Sequence, residues 1–130
     1  MNKSLGRDST VLLKMLKNVD DARRVISSRR LSFDSSSKNA LYNDKEAFDL
    51  CSFYLALFGE KTKLLTSSTL SDLGKVVDIG VMRYFRNKID HDYESVNRVL
   101  LQSYIQVLVS DDMYKTIQSR ILYCKKNRKV

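Results

Sequence analysis

The sequence predicts an all-α protein, and its composition and patterning support that prediction in three ways. The 130 residues include no proline and only four glycines, so few positions interrupt a helix. Apolar residues recur every three or four positions over long stretches, which is helical spacing. Short polar segments separate these stretches, as in an up-and-down bundle of four or five helices. A chain of this length fits one domain, spanning 1–130.

The first half of the chain predicts two helices and a loop. The first helix starts at a cap on Asp8 or Ser9 and continues through DSTVLLKMLKNVDDARRVISS. The serine-rich segment FDSSSKNALYN is typical of a loop that ends in a new cap at Asn43. A second helix follows, with a broad apolar face that only a packed bundle would bury. That face consists of Ala47, Leu50, Cys51, Tyr54, Leu57, Phe58 and Leu65.

The second half predicts two or three more helices. A third helix runs from a cap at Ser68 or Thr69 down to the segment RNKIDHDYESVN. Ser95 is the predicted cap of a fourth helix. The segment SDD at 110–112 either kinks that helix or separates it from a last helical segment, MYKTIQSRILYC. Residues from about 124 to 130 form a basic tail, for which disorder is one interpretation.

Charge and cysteine content limit the kinds of partner and ligand. The net charge of +8 favours an anionic partner, with nucleic acid first and an acidic protein or membrane surface second. Cys51 and Cys124 lack CxxC spacing, so we expect two reduced thiols, no metal and no cofactor. The N-terminus lacks a signal-peptide pattern, and the longest uncharged apolar run, LCSFYLALFG, is too short to span a bilayer. We therefore expect a cytoplasmic protein.

The segment RNKIDHDYESVN contains the only histidine of the chain. At about 100° per residue, Asn87 lies about 200° from Phe85, and His91 about 200° from Ile89, so both point away from the predicted core. Arg86 lies about 140° from His91, but its long side chain could reach a phosphate that His91 also contacts. A guanidinium stabilises charge on a phosphoryl group, and a histidine moves protons near neutral pH. Arg86, Asn87 and His91 are therefore the minimum set of groups for metal-independent RNA cleavage.

A purely structural interpretation fits the same spacing. Arg86 with Asp90, and Lys88 with Asp92, are i,i+4 ion pairs typical of an exposed helix end. His91 near a helix C-terminus complements the helix dipole. Because Arg-x4-His arises by chance in many helices, spacing alone favours this interpretation.

The segment resembles the signature of the HEPN superfamily, in which an Arg and a His separated by four to six residues form a ribonuclease motif. The form Arg-Asn-x3-His-x-Tyr, matched by Arg86, Asn87, His91 and Tyr93, is similar to that of the HepT-like toxins. The predicted helix order is also similar. The GE of LFGEKTKLL falls where the family carries a Gly-Glu in its second long helix, which places Glu60 there.

This resemblance implies a HEPN-like helical homodimer, with two Arg86/His91 pairs lining a basic cleft between the subunits. It implies a metal-independent endoribonuclease toxin whose partner is an MntA-like nucleotidyltransferase antitoxin. In the family, that antitoxin transfers AMP from ATP to the tyrosine of the His-x-Tyr motif, which here is Tyr93. The added phosphate and nucleoside would offset the charge of Arg86 and block RNA from the cleft.

Further basic residues could contact an RNA backbone. Lys88 is one, and others cluster at the end of the first predicted helix and in the tail. They are Arg23, Arg24, Arg29 and Arg30, followed by Lys125, Lys126, Arg128 and Lys129. Their alternative interpretation is a set of solvated charges at helix ends. The acidic residues Asp44, Glu46 and Asp49 suit the first turn of a helix better than a metal site.

Two other hypotheses compete with the enzyme. In the first, the same helical dimer is a non-catalytic module that binds RNA or a nucleotidyltransferase. Under that hypothesis, His91→Ala should leave RNA affinity nearly intact. The second is a structural helical adaptor, which the matched motif positions make the least favoured.

Overall fold

The chain folds into helices, which a computed structural model describes over residues 4–127. The six α-helices are α1 (Leu5–Ser28), α2 (Lys45–Lys61), α3 (Ser67–Leu73), α4 (Ile79–His91), α5 (Arg98–Leu108) and α6 (Asp111–Asn127). Short 3-10 helices cover Leu41–Asn43, Thr62–Leu64 and Tyr93–Ser95. Over residues 4–127 the only β-type pairing is an isolated bridge between Ser32 and Ala40. The all-α prediction is therefore confirmed.

The helices begin at short polar side chains, but not at the predicted ones. The observed caps are Ser4 for α1, Asp44 for α2, Thr66 for α3, Asp78 for α4 and Asn97 for α5. The predicted caps were Asp8 or Ser9, Asn43, Ser68 or Thr69, and Ser95. Each observed cap accepts a hydrogen bond from a backbone N–H three residues later. Several Ser, Thr, Asn and Asp residues stand near each start, and all of them are good caps, so the sequence did not select among them.

The prediction of a single third helix is wrong, because this part of the chain forms two helices, α3 and α4. Gly74 ends α3, and the Asp78 side chain starts α4 by accepting the N–H of Val81 at 3.1 Å. Leu73, the last residue of α3, and Val77, within the break, are both buried. The apolar pattern therefore continues through an interruption of the backbone helix. The bundle has six α-helices within residues 4–127, rather than four or five.

The last helix is separate, as one of the two predicted alternatives had it, but it is longer than predicted. α6 is separate from α5, and the Ser110 hydroxyl accepts the N–H of Met113 at 3.2 Å. α6 then continues to Asn127, with Cys124 buried, so residues 124–127 are helix and not tail. Residues 128–130 lie outside the described part of the chain. Over the described residues, no helix is both long enough and apolar enough to cross a membrane.

α2 is the helix with neighbours on most sides, since it packs against both α1 and α4. Ala47, Cys51, Phe58 and Leu65 are buried as predicted. The prediction was wrong for Leu50, which is 37% exposed. Tyr54 and Leu57 are only partly buried, whereas Phe48 and Leu55 are fully buried. Because α2 is apolar around much of its circumference, its pattern does not define which side faces the core.

A buried carboxylate joins α3 to α1. Asp8 has no exposed surface, and it accepts the Thr66 N–H at 3.1 Å and the hydroxyls of Thr66 and Thr69 at 2.6 Å each. Arg120 donates to the Thr69 hydroxyl at 3.0 Å, which brings a positive charge near this cluster. Asp8 therefore fixes the start of α3 against α1 instead of capping its own helix.

Candidate ribonuclease site

The motif residues lie on the last two turns of α4 and in the 3-10 helix that follows. His91 is the last residue of α4, and Tyr93 begins Tyr93–Ser95. Asn87 and His91 are exposed, as the helical angles predicted, while Arg86 and Tyr93 are partly buried. Over residues 4–127, the His91 side chain makes no hydrogen bond. Asn87 and His91 are thus available to a ligand from outside the subunit.

Three neighbours hold the guanidinium group of Arg86. Its Nε lies 2.7 Å from Glu60 Oε2 on α2, its Nη1 donates to Asn87 Oδ1 at 3.0 Å, and its Nη2 lies 3.4 Å from Asp90 Oδ2. The Arg86 side chain is 22% exposed. These contacts orient Arg86 towards α2 and leave part of its guanidinium accessible.

Gly59 allows α2 and α4 to approach closely at this point. A Cβ atom at Gly59 would lie 3.3 Å from Arg86 Cβ and 3.5 Å from Met82 Cγ. The first distance is shorter than most contacts of this kind, so a side chain here would push Arg86 away. Gly59 thus allows the backbones of α2 and α4 to approach, and the next residue, Glu60, binds Arg86. The family resemblance indicated this Gly-Glu position, but the contact with Arg86 is visible only in the structure.

The ion pairs of the structural interpretation are also present. Arg86–Asp90 and Lys88–Asp92 each measure 3.4 Å. Hydrogen bonds from Ser95 and Lys88 lower the pKa of Asp92 below its ordinary value. Pairs of this length on a helix surface contribute little to stability. They do mean that Arg86 and Lys88 already have carboxylate partners before any ligand binds.

Tyr93 is anchored through its hydroxyl to α2. The phenol donates to Asp49 Oδ1 at 2.6 Å, with Ser52 Oγ at 3.3 Å. Burial, together with the Asp49 carboxylate, raises the pKa of Tyr93 to about 12. Burial acts to raise the Asp49 pKa, but the hydrogen bonds from Lys45 and Tyr93 outweigh it and the pKa is lowered. The proton therefore belongs to Tyr93 and the negative charge to Asp49.

Tyr93 also lines a pocket of about 270 Å³ between the starts of α2 and α5. The ring of Tyr93 stacks near Phe48, with centroids 6.4 Å apart, and the guanidinium of Arg98 lies 4.6 Å from the Phe48 ring centre. Lys45, Asp49 and Glu94 are further polar residues of the lining, and Lys45 and Asp49 form a 2.7 Å ion pair. The sequence did not indicate Arg98, because only the folded chain brings it next to Tyr93.

The arginines at the end of α1 have different surroundings. Arg23 donates to the Val109 carbonyl at 2.9 Å and pairs with Asp111 at 3.2 Å, so it holds α1 to the α5–α6 junction. Arg29 pairs with Asp44, at 2.9 Å, and with Glu46. Both arginines therefore have structural partners.

The remaining basic candidates are more open to solvent. Arg24 is exposed and pairs with Asp21 on its own helix at 3.0 Å. Arg30 is exposed in a left-handed backbone conformation with φ of 53°. Lys125 and Lys126 are exposed on the last turn of α6. Arg128 and Lys129 lie outside the described residues. Arg24 and Arg30 are the cluster members best placed to meet an anionic partner.

No group of three or more His, Cys, Asp or Glu side chains within the described residues is arranged to hold a metal ion. No protein-family model matches the chain, and no significant match was found among curated proteins or solved structures.

Proposed function

We propose that the chain is a metal-independent endoribonuclease of the HEPN type, with Arg86, Asn87 and His91 as its catalytic residues. One observation carries the proposal. Arg86 is held in a defined orientation by Glu60 at 2.7 Å, next to a helix end on which Asn87 and His91 are exposed. An oriented guanidinium and an exposed imidazole at one helix end are suited to phosphoryl chemistry.

The reaction needs a base, an acid and stabilisation of charge on phosphorus. The ribose 2′-oxygen attacks the adjacent phosphorus while its proton passes to a neutral His91. The bond from phosphorus to the 5′-oxygen breaks, and that oxygen takes a proton from a protonated His91. The products are a 2′,3′-cyclic phosphate and a 5′-hydroxyl. Arg86 and the Asn87 amide donate hydrogen bonds to the non-bridging oxygens, where negative charge builds up.

A homodimer would supply two copies of His91, one as base and one as acid. The exposed side of α2 supports such a contact. Leu50, Phe53 and Leu57 follow one another at helical spacing and lead to Glu60, the partner of Arg86. Phe53 is 53% exposed, and a groove of about 490 Å³ lies beside it and Leu50. An apolar stripe of this kind that ends at the motif fits a second copy which completes the site.

The proposed regulatory partner is an MntA-like nucleotidyltransferase that modifies Tyr93. In that reaction the Tyr93 oxygen attacks the α-phosphorus of ATP, pyrophosphate leaves, and the phenolic proton passes to Asp49. The 2.6 Å hydrogen bond supports Asp49 as the proton acceptor. Once Asp49 has released that proton to water, the product carries a phosphodiester anion beside a carboxylate, and repulsion between them would move the Tyr93–Ser95 turn away from α2.

A non-catalytic RNA-binding or nucleotidyltransferase-binding module is the second candidate. It is favoured by the pairing of the motif charges within the subunit, Arg86 with Glu60 and Asp90, and Lys88 with Asp92. A module that only binds would use Asn87, His91 and the remaining basic surface without a proton transfer.

Cleavage of a 5′-labelled single-stranded RNA in EDTA tests the proposal. Wild type should give fragments that end in 2′,3′-cyclic phosphate, and His91→Ala should reduce the rate at least about 100-fold, as expected for loss of a general acid–base group. Arg86→Ala should lose a similar factor through loss of charge stabilisation. Lys75→Ala is the matched control, since Lys75 is an exposed cation that pairs with Asp72 at 3.4 Å and lies outside the motif and the basic clusters.

Two measurements on the same proteins distinguish the enzyme from the non-catalytic module. RNA that stays intact with wild type, while His91→Ala binds it with unchanged affinity, would contradict the enzyme and favour the module. Expression in a bacterial host, with growth and RNA integrity as the measurements, gives an independent test. Growth arrest with RNA fragmentation for wild type, and neither for His91→Ala, supports the ribonuclease.

A further inference from the structure

The outward face of α4 carries an aromatic ring in line with the motif. Tyr84 precedes His91 by two helical turns, which is about 10 Å along the axis and only about 20° around it. Asn87 lies between them on the same face. Tyr84 is 55% exposed, and over residues 4–127 its hydroxyl makes no hydrogen bond. The ring surface is thus presented on the same side as the imidazole.

The Tyr84 ring is held in place at one edge. It meets Phe85 edge-on, with ring centroids 5.4 Å apart and planes at 68°. Phe85 is 1% exposed and lies 5.2 Å from the Tyr104 ring, so it is a fixed support. A ring that packs against a buried residue on one side and is exposed on the other loses little conformational freedom when another flat group stacks on it.

Basic side chains flank the same face. Lys88 follows Tyr84 by one turn, and Arg83 precedes it and is held by the Thr62 hydroxyl at 3.2 Å. Asp90 and Asp92 lie nearby and pair with Arg86 and Lys88, so an RNA phosphate must replace Asp92 to contact Lys88. Aromatic rings interleaved with cations are the usual surface for single-stranded nucleic acid, in which bases stack and phosphates lie beside positive charges.

We propose that Tyr84 stacks on an unpaired nucleobase of the RNA whose scissile phosphate lies at Arg86 and His91. This inference rests on the proposed ribonuclease function and adds its substrate class, since only single-stranded RNA offers an unstacked base. Tyr84 is a positioning residue: it holds the strand at a fixed distance from His91. Stacking of one base typically changes affinity by about tenfold or more.

The test measures affinity for a fully 2′-O-methylated single-stranded 12-mer RNA, which lacks the attacking hydroxyl and stays intact. Fluorescence anisotropy should give a Kd about tenfold higher for Tyr84→Ser and within about twofold for Tyr84→Phe, which keeps the ring. Tyr123→Ser is the matched control, because Tyr123 is 47% exposed on α6. With cleavable RNA, Tyr84→Ser should raise KM and leave kcat within about threefold.

Other results would overturn the inference. Equal affinity of wild type and Tyr84→Ser, with His91-dependent cleavage retained, would exclude stacking but leave the ribonuclease in place. Equal binding of double-stranded and single-stranded RNA would contradict the substrate class. A dimer that dissociates on Tyr84→Ser in sedimentation would assign Tyr84 to a subunit contact. No RNA binding or cleavage by wild type would remove the proposed function, and this inference with it.

Discussion

Tyr93→Phe removes the hydroxyl that donates to Asp49 and keeps the ring beside Phe48. The variant therefore isolates one hydrogen bond, of 2.6 Å, between the turn after α4 and helix α2. We expect the free energy of unfolding to fall, and we expect the size of the loss to depend on pH.

The hydrogen bond to a carboxylate gives the magnitude, and the pKa of Tyr93 gives the pH range. Hydrogen bonds to charged groups contribute about 1.5–3 kcal/mol, and since Tyr93 is only partly buried, about 1–2 kcal/mol is expected. Burial and the Asp49 carboxylate raise the pKa of Tyr93 to about 12 in the folded state, above the ordinary 10.0. The folded state raises the pKa, so this stability is complete below pH 10 and is lost as the pH rises towards 12.

Urea unfolding followed by far-ultraviolet circular dichroism measures this directly at pH 7, 9, 10.5 and 11. Tyr93→Phe should be less stable than wild type by about 1–2 kcal/mol at pH 7 and 9, with a smaller difference at pH 10.5 and 11. Tyr123→Phe is the control, because that ring is 47% exposed and should leave stability unchanged throughout.

Equal stability of wild type and Tyr93→Phe at every pH would refute the reasoning, since the hydroxyl would then make no bond worth measuring. The result also bears on the proposed partner. If the bond has the expected strength, it would keep Asp49 in place to accept the phenolic proton while the Tyr93 oxygen attacks ATP. The modified chain would then lack a contact that holds the Tyr93–Ser95 turn on α2.

Two further substitutions test how the helices are held together, with urea unfolding as the measurement. Asp8→Ala should lower stability by about 2–4 kcal/mol, because three donors at the start of α3 lose a buried acceptor, whereas Asp20→Ala should change it by less than about 0.5 kcal/mol. Gly59→Val should cost about 1–3 kcal/mol by displacing Arg86, while Gly59→Ala should change stability by less than about 1 kcal/mol, because its gain in helix propensity offsets one tight contact. A fully stable Gly59→Val protein would show that α2 and α4 are not closely packed there.

The helical character of the chain was predictable because apolar periodicity and the absence of proline act locally. The break between α3 and α4 was not, since Leu73 and Val77 keep the apolar pattern while residues 74–78 leave the helix. The side of α2 that faces the core was also only partly predicted. Its direction is set by contacts with α1 and α4 that are distant in sequence.

The candidate site was likewise only partly predictable from the sequence. The exposure of Asn87 and His91 follows from about 100° of rotation per residue, which needs no knowledge of the rest of the fold. The partners of Arg86 and Tyr93 do need it, because Glu60 and Asp49 both come from α2. Asp49 was assigned to the helix dipole and Glu60 to the Gly-Glu position of the family, and in the structure they bind Tyr93 and Arg86.

The relative orientation of Arg86 and His91 gives an argument for a second copy of the chain. On one α4 helix, Arg86 and His91 are about 140° apart around the axis, and Glu60 holds Arg86 on the α2 side. A single phosphate approaching His91 from solvent therefore meets the imidazole first and only the edge of the guanidinium. In the proposed dimer, the stripe of Leu50, Phe53 and Leu57 would bring the two subunits together next to Glu60, the partner of Arg86. We propose that the phosphate then contacts Arg86 of one subunit and His91 of the other, with the Glu60 contact retained.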